Sequence, residues 1–354
     1  MRLKSLRKKL SRMNKFPYLI SNLKNIFYLT GFEGSYGHLV IDRERSFFIS
    51  DSRYREYAKE IIPESIEFIL QKRNIIEALK NIFNTINKDR VYIEDSIPLS
   101  FYLMLKKELG NIEIIPNDDE VSAIRIIKDD GELGLIRKAV EISDRCFKHL
   151  TGIMKPGMLE WDLAVEIEYF YRKNGCRKSA FDSVVASGKG SSMPHYLTSM
   201  TKRIDEGDIL LIDMGCEYEG YNSDLTRTIF LGYIDPEFEK IYNIVKCAQE
   251  KAISFLRPGI SASRVDRIAR DIIAEKGYGE AFGHALGHGV GLDVHEQPSI
   301  KMGNKFRLKK NVVITIEPGI YLPDSGGVRI EDIVIINDIG YEVITKSSKE
   351  IIVI

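Results

Sequence analysis

Two stretches of this chain, DILLIDMGCEYEGYNSDLTRTIFLG (208–232) and NVVITIEPGIYLPDSGGVRIEDIVIIND (311–338), set apolar β-type runs on either side of a polar turn, and each carries acids inside those runs. Asp213 ends ILLID, a run that belongs in a core, and Asp224 lies on the return strand. If the loop is the four residues Glu217–Gly220, the hairpin register sets Asp213 directly opposite Asp224 on one face. Glu317 ends VVITIE, while Glu331 sits in VRIEDIVII, where Arg329 shares its face by period two. A single acid of this kind reads as a strand-end carboxylate that caps a turn or pairs with an arginine. Four at matching positions of two hairpins are different. Facing like charges destabilise a hairpin and a lone buried carboxylate is costly, so the group calls for a shared cation. Oxygen ligands joined by one imidazole suit a hard or borderline divalent metal.

The imidazole has an evident source. Of the six histidines, His284, His288 and His295 all fall in FGHALGHGVGLDVHEQP (282–298), interleaved with Gly283, Gly287, Gly289 and Gly291. Glycines let a backbone approach its neighbours closely. His288, between two glycines in GHG, has the tightest setting and is the ligand choice. His284, four residues earlier, shares its face if the segment is extended. His295, seven residues on, falls on the other face by strict alternation, a count that a bulge at glycine undoes, so spacing leaves its role open.

Around these stretches the chain reads as two domains, 1–122 and 123–354. In the first, FPYLIS, SFFIS, IEFIL, RVYIED and IEIIP are short β-type runs separated by helical patterns, the signature of a small α/β domain. In the second, helical patterns over 132–153, 158–174, 235–256 and 261–276 alternate with the two acid-bearing hairpins. Helices packed on antiparallel sheet make this an α+β domain. Lys+Arg and Asp+Glu balance at 51 each, so no global field favours nucleic acid or an acidic membrane. No run is long and apolar enough to span a bilayer, and the basic start MRLKSLRKKLSRMNKF lacks the apolar segment of a secretory signal. The four dispersed cysteines suit free thiols in a reducing cytoplasm. SGKGSS lacks P-loop spacing, the glycine ribbon is no GxGxxG between strand and helix, and His295-Glu296 does not continue to HExxH.

Taken in order, DMGCEYEGYNSDLTRT, HALGHGVGLDVHEQP, ITIEPGIY and GGVRIED resemble the motifs of the Xaa-Pro peptidases of the pita-bread metallopeptidase fold. That group includes Xaa-Pro aminopeptidase and Xaa-Pro dipeptidase (prolidase), with methionine aminopeptidase a more distant relative. IFYLTGFEGSYGHLVI resembles the amino-terminal α/β domain that these peptidases share with creatinase. The resemblance implies a pita-bread catalytic domain behind a smaller creatinase-like domain, and two divalent ions per subunit, Mn or Co first with Zn also compatible. It implies that Asp213 chelates one ion, that Asp224 and Glu331 bridge the pair, and that His288 and Glu317 complete the other. His195, in GSSMPHYLTS, and His295 match the two histidines beside the scissile bond. His284 matches one lining the substrate site, and Arg329, on the same substrate side, fixes a ligand carboxylate. The implied reaction is attack by a hydroxide shared between the ions on the bond before proline, with Glu317 shuttling the proton. Asp293 stands where many relatives have Glu, at a position that is not a ligand. The expected enzyme is a cytoplasmic homodimer acting on peptides with proline second, an aminopeptidase first and a dipeptidase as the alternative, with a non-catalytic binding relative ranked below both.

Overall fold

A computed structural model describes residues 2–354 and divides the chain into two compact units, one ending at Arg125 and the other Ile126–Ile354. The first unit is built on a six-stranded mixed sheet. Its five expected runs form Tyr18–Ile20, Ser46–Ser50, Glu67–Leu70, Arg90–Glu94 and Glu113–Asn117, and GHLVI supplies a sixth strand, His38–Ile41. Tyr18–Ile20 lies inside the sheet, antiparallel to His38–Ile41 and parallel to Arg90–Glu94. Leu19, Val40, Phe47 and Ile49 pack with Leu79, Ile82 and Phe83 of helix Ile75–Ile86, burying one side of the sheet.

His38 is sealed in this unit, its ring stacked on Phe101 at 5.2 Å and 2.9 Å from the Ser21 hydroxyl. Burial pushes its pKa down to about 4. The folded state therefore favours the neutral ring, and the stability this gives is complete above about pH 6.5 and lost as pH falls towards 4. Buried Glu94, pushed up to about 7 by burial, acts in the opposite sense over the same range. Comparing the protein with its His38→Phe variant isolates the histidine. The stability difference is expected to move by about 3 kcal/mol in the variant's favour between pH 7 and pH 4 in urea unfolding, with the His38 ring titrating far below 6.5 by NMR.

In the second unit the four helices fall where the apolar spacing puts them: Asp130–Ile153, Glu160–Lys173, Pro236–Ser254 and Ala262–Glu275. The first opens on a reciprocal capping box between Asp129 and Glu132 and buries Leu133, Ile136, Val140, Phe147 and Leu150 along one stripe. Each fully buried Leu or Ile contributes about 2 kcal/mol, so such a stripe outweighs any propensity term in fixing the helix. The first two helices cover one face of the sheet formed by Val184–Ser187, Ile209–Met214 and Leu225–Phe230, packing on Leu210, Ile212, Leu225 and Ile229. The second two cover the sheet that holds Val313–Ile316 and Asp332–Ile336, packing on Ile314, Ile316, Val334 and Ile336. Alternation then turns Asp213, Thr226, Thr315, Arg329 and Glu331 away from both helix layers, and the uncovered faces of the two halves meet there. No helix among the described residues is long and apolar enough to cross a membrane.

Two local expectations need correction. Asp213 pairs with Thr226 rather than Asp224, because the turn is only Glu219-Gly220. Both residues adopt positive φ (47° and 83°), as a two-residue hairpin turn of type I′ requires, and the register moves by two. An even slip keeps Asp224 on the same face as Asp213. The 311–338 segment, in turn, is two nested pairs rather than one hairpin. Val313–Ile316 pairs with Asp332–Ile336, and Gly319–Leu322 pairs with Gly326–Arg329. Pro318, which has no N–H for a ladder, separates them, and Glu317 and Glu331 flank the break.

Candidate metal centre

The strand ends described above bring Asp224, His288 and Glu331 together, with one potential ligand atom from each lying within 4.8 Å of the others. Asp224 and Glu331 are nearly sealed from solvent, at 5% and 2% exposure. The His288 Nε2 lies 3.1 Å from Glu317 Oε1 and 3.6 Å from Asp224 Oδ2. Asp213 lies near enough for its charge to act on Asp224, and its Oδ2 accepts from Arg329 at 2.7 Å.

Burial pushes the Asp224 carboxyl far above the usual range, and the charges of Glu331, Asp213 and Glu317 add to it. Glu331 is pushed up in the same way by burial, then by Glu317 and Asp213. For Asp213, burial works upward against the pull of Arg329. Burial also opposes the charge on Glu317 and on His288, but their mutual hydrogen bond prevails, lowering the acid to about 2 and raising the imidazole. Asp213 Oδ1 and Glu331 Oε1 are buried with no hydrogen-bond partner among the described residues. An orphaned buried carboxylate oxygen is costly. Asp224, His288 and Glu331, with Glu317 against the imidazole and an unpartnered oxygen on Asp213 and on Glu331, fit a divalent cation.

Three residues that the sequence does not single out hold this set in place. The Thr226 hydroxyl accepts from Arg329 Nε at 3.0 Å and donates to Glu331 Oε2 at 2.7 Å. The Thr315 hydroxyl accepts from the His288 amide at 3.0 Å and donates to Glu317 Oε1 at 2.9 Å. Each threonine stands two residues from an acid, so the same period that finds Asp224 and Glu317 finds them too. Tyr321 carries no such signal, because it lies across the Pro318-Gly319 break. Its hydroxyl accepts from Arg329 Nη1 at 2.9 Å and lies 2.9 Å from His284 Nε2.

The histidines divide three ways. Beyond His288, the His295 ring packs edge-on against it at 4.3 Å, and burial together with His288 pushes its pKa down. His284 has both ring nitrogens engaged, Nδ1 with the Ala285 carbonyl at 2.8 Å and Nε2 with Tyr321. His195 is exposed on the loop that follows Val184–Ser187. Arg329 departs from its expected substrate-side position. It is buried behind Asp213, with Asp213, Thr226, Tyr321 and the Pro194 carbonyl taking its donors, so it fixes the Asp213 carboxylate rather than meeting solvent.

The metallopeptidase family M24 model matches residues 134–338, and the creatinase/prolidase N-terminal domain model matches residues 2–127. A Xaa-Pro dipeptidase from Pyrococcus horikoshii is 40% identical over 336 residues, covering 94% of this chain and 93% of that protein. The structure of a Xaa-Pro dipeptidase from Bacillus anthracis superposes with a TM-score of 0.96 at 37% identity, covering 100% of this chain and 99% of that one. That of an X-Pro aminopeptidase from Thermotoga maritima gives 0.88 at 36%, covering 97% and 99%.

Proposed function

Because the chain belongs to metallopeptidase family M24, we propose that it hydrolyses the bond between an N-terminal residue and a following proline, with Xaa-Pro dipeptides as its main substrates. The observation that carries the reading is the buried convergence of Asp224, His288 and Glu331 beside the unpartnered oxygens of Asp213 and Glu331. In this reading Asp213, Asp224, His288, Glu317 and Glu331 hold two divalent ions, which when bound supply Lewis acidity and a water of lowered pKa. Oxygen-rich ligation with one imidazole favours manganese or cobalt, with zinc the alternative.

The remaining work falls to the chain's own side chains. Glu317 carries a proton from the attacking water to the departing proline nitrogen. His195 and His295 donate hydrogen bonds to the carbonyl oxygen as charge develops on it. His284, locked by Ala285 and Tyr321, lines the substrate site with its ring rather than with a free nitrogen. An Xaa-Pro amide has no N–H to offer a cleft and a ring of fixed shape, which favours a dedicated pocket. The dipeptide preference draws on the Pyrococcus and Bacillus relatives. The aminopeptidase reading stands second, on the strength of the Thermotoga structure. A homodimer belongs to the same proposal and is measured by sedimentation velocity.

The test is hydrolysis by chelator-stripped protein of an Xaa-Pro dipeptide and an Xaa-Pro-Yaa tripeptide, each with and without added manganese or cobalt. The stripped protein is expected to be inactive, and added metal to restore cleavage of the dipeptide. Tripeptide cleavage at the same bond, at an equal or higher rate, makes the enzyme an aminopeptidase. Neither cleavage with metal demonstrably bound overturns the proline specificity.

A further inference from the structure

Away from the carboxylate–imidazole cluster, the helix Glu160–Lys173 begins with an acid that is completely buried. Glu160 Oε1 accepts from the Ser187 amide at 2.8 Å and the Ser187 hydroxyl at 2.7 Å, and lies 3.2 Å from Lys202 Nζ. Its Oε2 accepts from the Tyr196 hydroxyl at 2.9 Å and the Ser199 amide at 3.1 Å. Donors from residues 187, 196, 199 and 202 thus converge on one side chain, and His195 lies inside the span they enclose, next to Tyr196. The Lys202 ammonium also bonds the Ser187 carbonyl, closing the two ends of the loop on each other. Backbone bonds reinforce the tie, from the Glu160 amide to the Lys202 carbonyl at 3.1 Å and from the Ile204 amide to the Met158 carbonyl at 2.9 Å. The other side of the loop rests on the cluster itself, where Arg329 reaches the Pro194 carbonyl at 3.4 Å.

A carboxylate this deep is unfavourable unless its bonds are needed, and an apolar residue at position 160 would strand the donors of Ser187, Tyr196 and Ser199. We propose that Glu160 is the positioning residue for His195, tying both flanks of the 187–202 loop so that an otherwise exposed ring stands at a fixed place beside the cluster. The inference rests on reading His195 as a hydrogen-bond donor to the substrate, and its test separates the two. A misplacement of about 1 Å at a reacting group can cost about 100-fold in rate, which sets the size of effect to look for.

The experiment is a double-mutant cycle between Glu160→Gln and His195→Ala, read by kcat and KM on an Xaa-Pro dipeptide, by metal content per chain and by amide exchange over 188–200. Glutamine keeps the shape but turns an NH2 towards donors. It is expected to lower kcat by about 100-fold with little change in KM, unchanged metal content and faster exchange in the loop. In the His195→Ala background the same change is expected to add less than about threefold, because the group it positions is gone. Tyr196→Phe removes one bond of the set without disturbing the fold, should follow the same pattern at about tenfold, and decides the matter if Glu160→Gln does not fold. If His195→Ala alone leaves kcat unchanged, the role of His195 falls and the proposal with it. If His195→Ala slows the enzyme and the second change multiplies in full, His195 keeps its role and Glu160 is only a structural anchor, which overturns the proposal.

Discussion

Replacing Asp224 by asparagine is expected to abolish turnover and metal binding while leaving a chain that is at least as stable as the metal-free parent. Asp224 is 5% exposed and stands among Glu331, Asp213 and Glu317, so without a cation its charge is repelled by every acid around it. Asparagine keeps the volume and removes that charge. Burial and like charges are relieved together, so the melting temperature in chelator should stay level or rise. With metal the order reverses. The parent is expected to gain stability as binding pulls the folded state down, whereas the variant lacks one donor of the proposed ligand set that no neighbour replaces. A drop in kcat/KM of at least about 1000-fold is the expected scale, about 4 kcal/mol of transition-state stabilisation. Steady-state kinetics, metal per chain and melting with and without chelator check the three parts separately. A variant that holds two ions and turns over normally would sink the ligand assignment. One that unfolds in chelator would sink the electrostatic reasoning behind it.

The acid cluster is legible in the sequence because charge and periodicity are local. An acid at the end of an apolar β-run announces itself, and its face is fixed by counting twos. The register is not legible to the same degree. A two-residue turn at Glu219-Gly220 and a four-residue loop differ by two positions, and both keep the acids on one face, so the alternation alone does not choose between them. The second hairpin hides its break at Pro318, which splits one apparent strand pair into two. Contacts between distant segments are the least visible. Tyr321 meets His284 37 positions away, and Glu160 gathers donors from as far as residue 202. Nothing periodic marks either residue, since its value depends on which strands the fold sets side by side. The buried pairs Arg227–Asp332 and Lys128–Glu296 belong to the same class. From the sequence they are ordinary charges, and only packing shows that they are sealed.

The glycine ribbon joins the two levels and yields the second large effect. A methyl group on Gly287 would lie closer than 3.0 Å to the Thr315 carbonyl, a backbone atom that cannot swing aside. Gly287 pairs with Ile300, and the next residue, His288, bonds the Thr315 hydroxyl that in turn holds Glu317. Gly287→Ala must therefore push the His288 strand away from the Thr315 strand, parting the imidazole from Glu317 and Asp224 at one stroke. Overpacking of this kind costs about 3 kcal/mol, and the displaced imidazole should cost at least about 100-fold in kcat/KM. Gly283, four residues earlier in the same ribbon, supplies the control. An added methyl there meets nothing within 4 Å, so Gly283→Ala should change stability by less than about 0.5 kcal/mol. Urea unfolding and metal titration of the two variants side by side decide the point. If both are equally mild, the ribbon's glycines serve flexibility rather than close approach. If only Gly287→Ala fails, the chain places glycine beside His288 because that imidazole must lie against a neighbouring backbone.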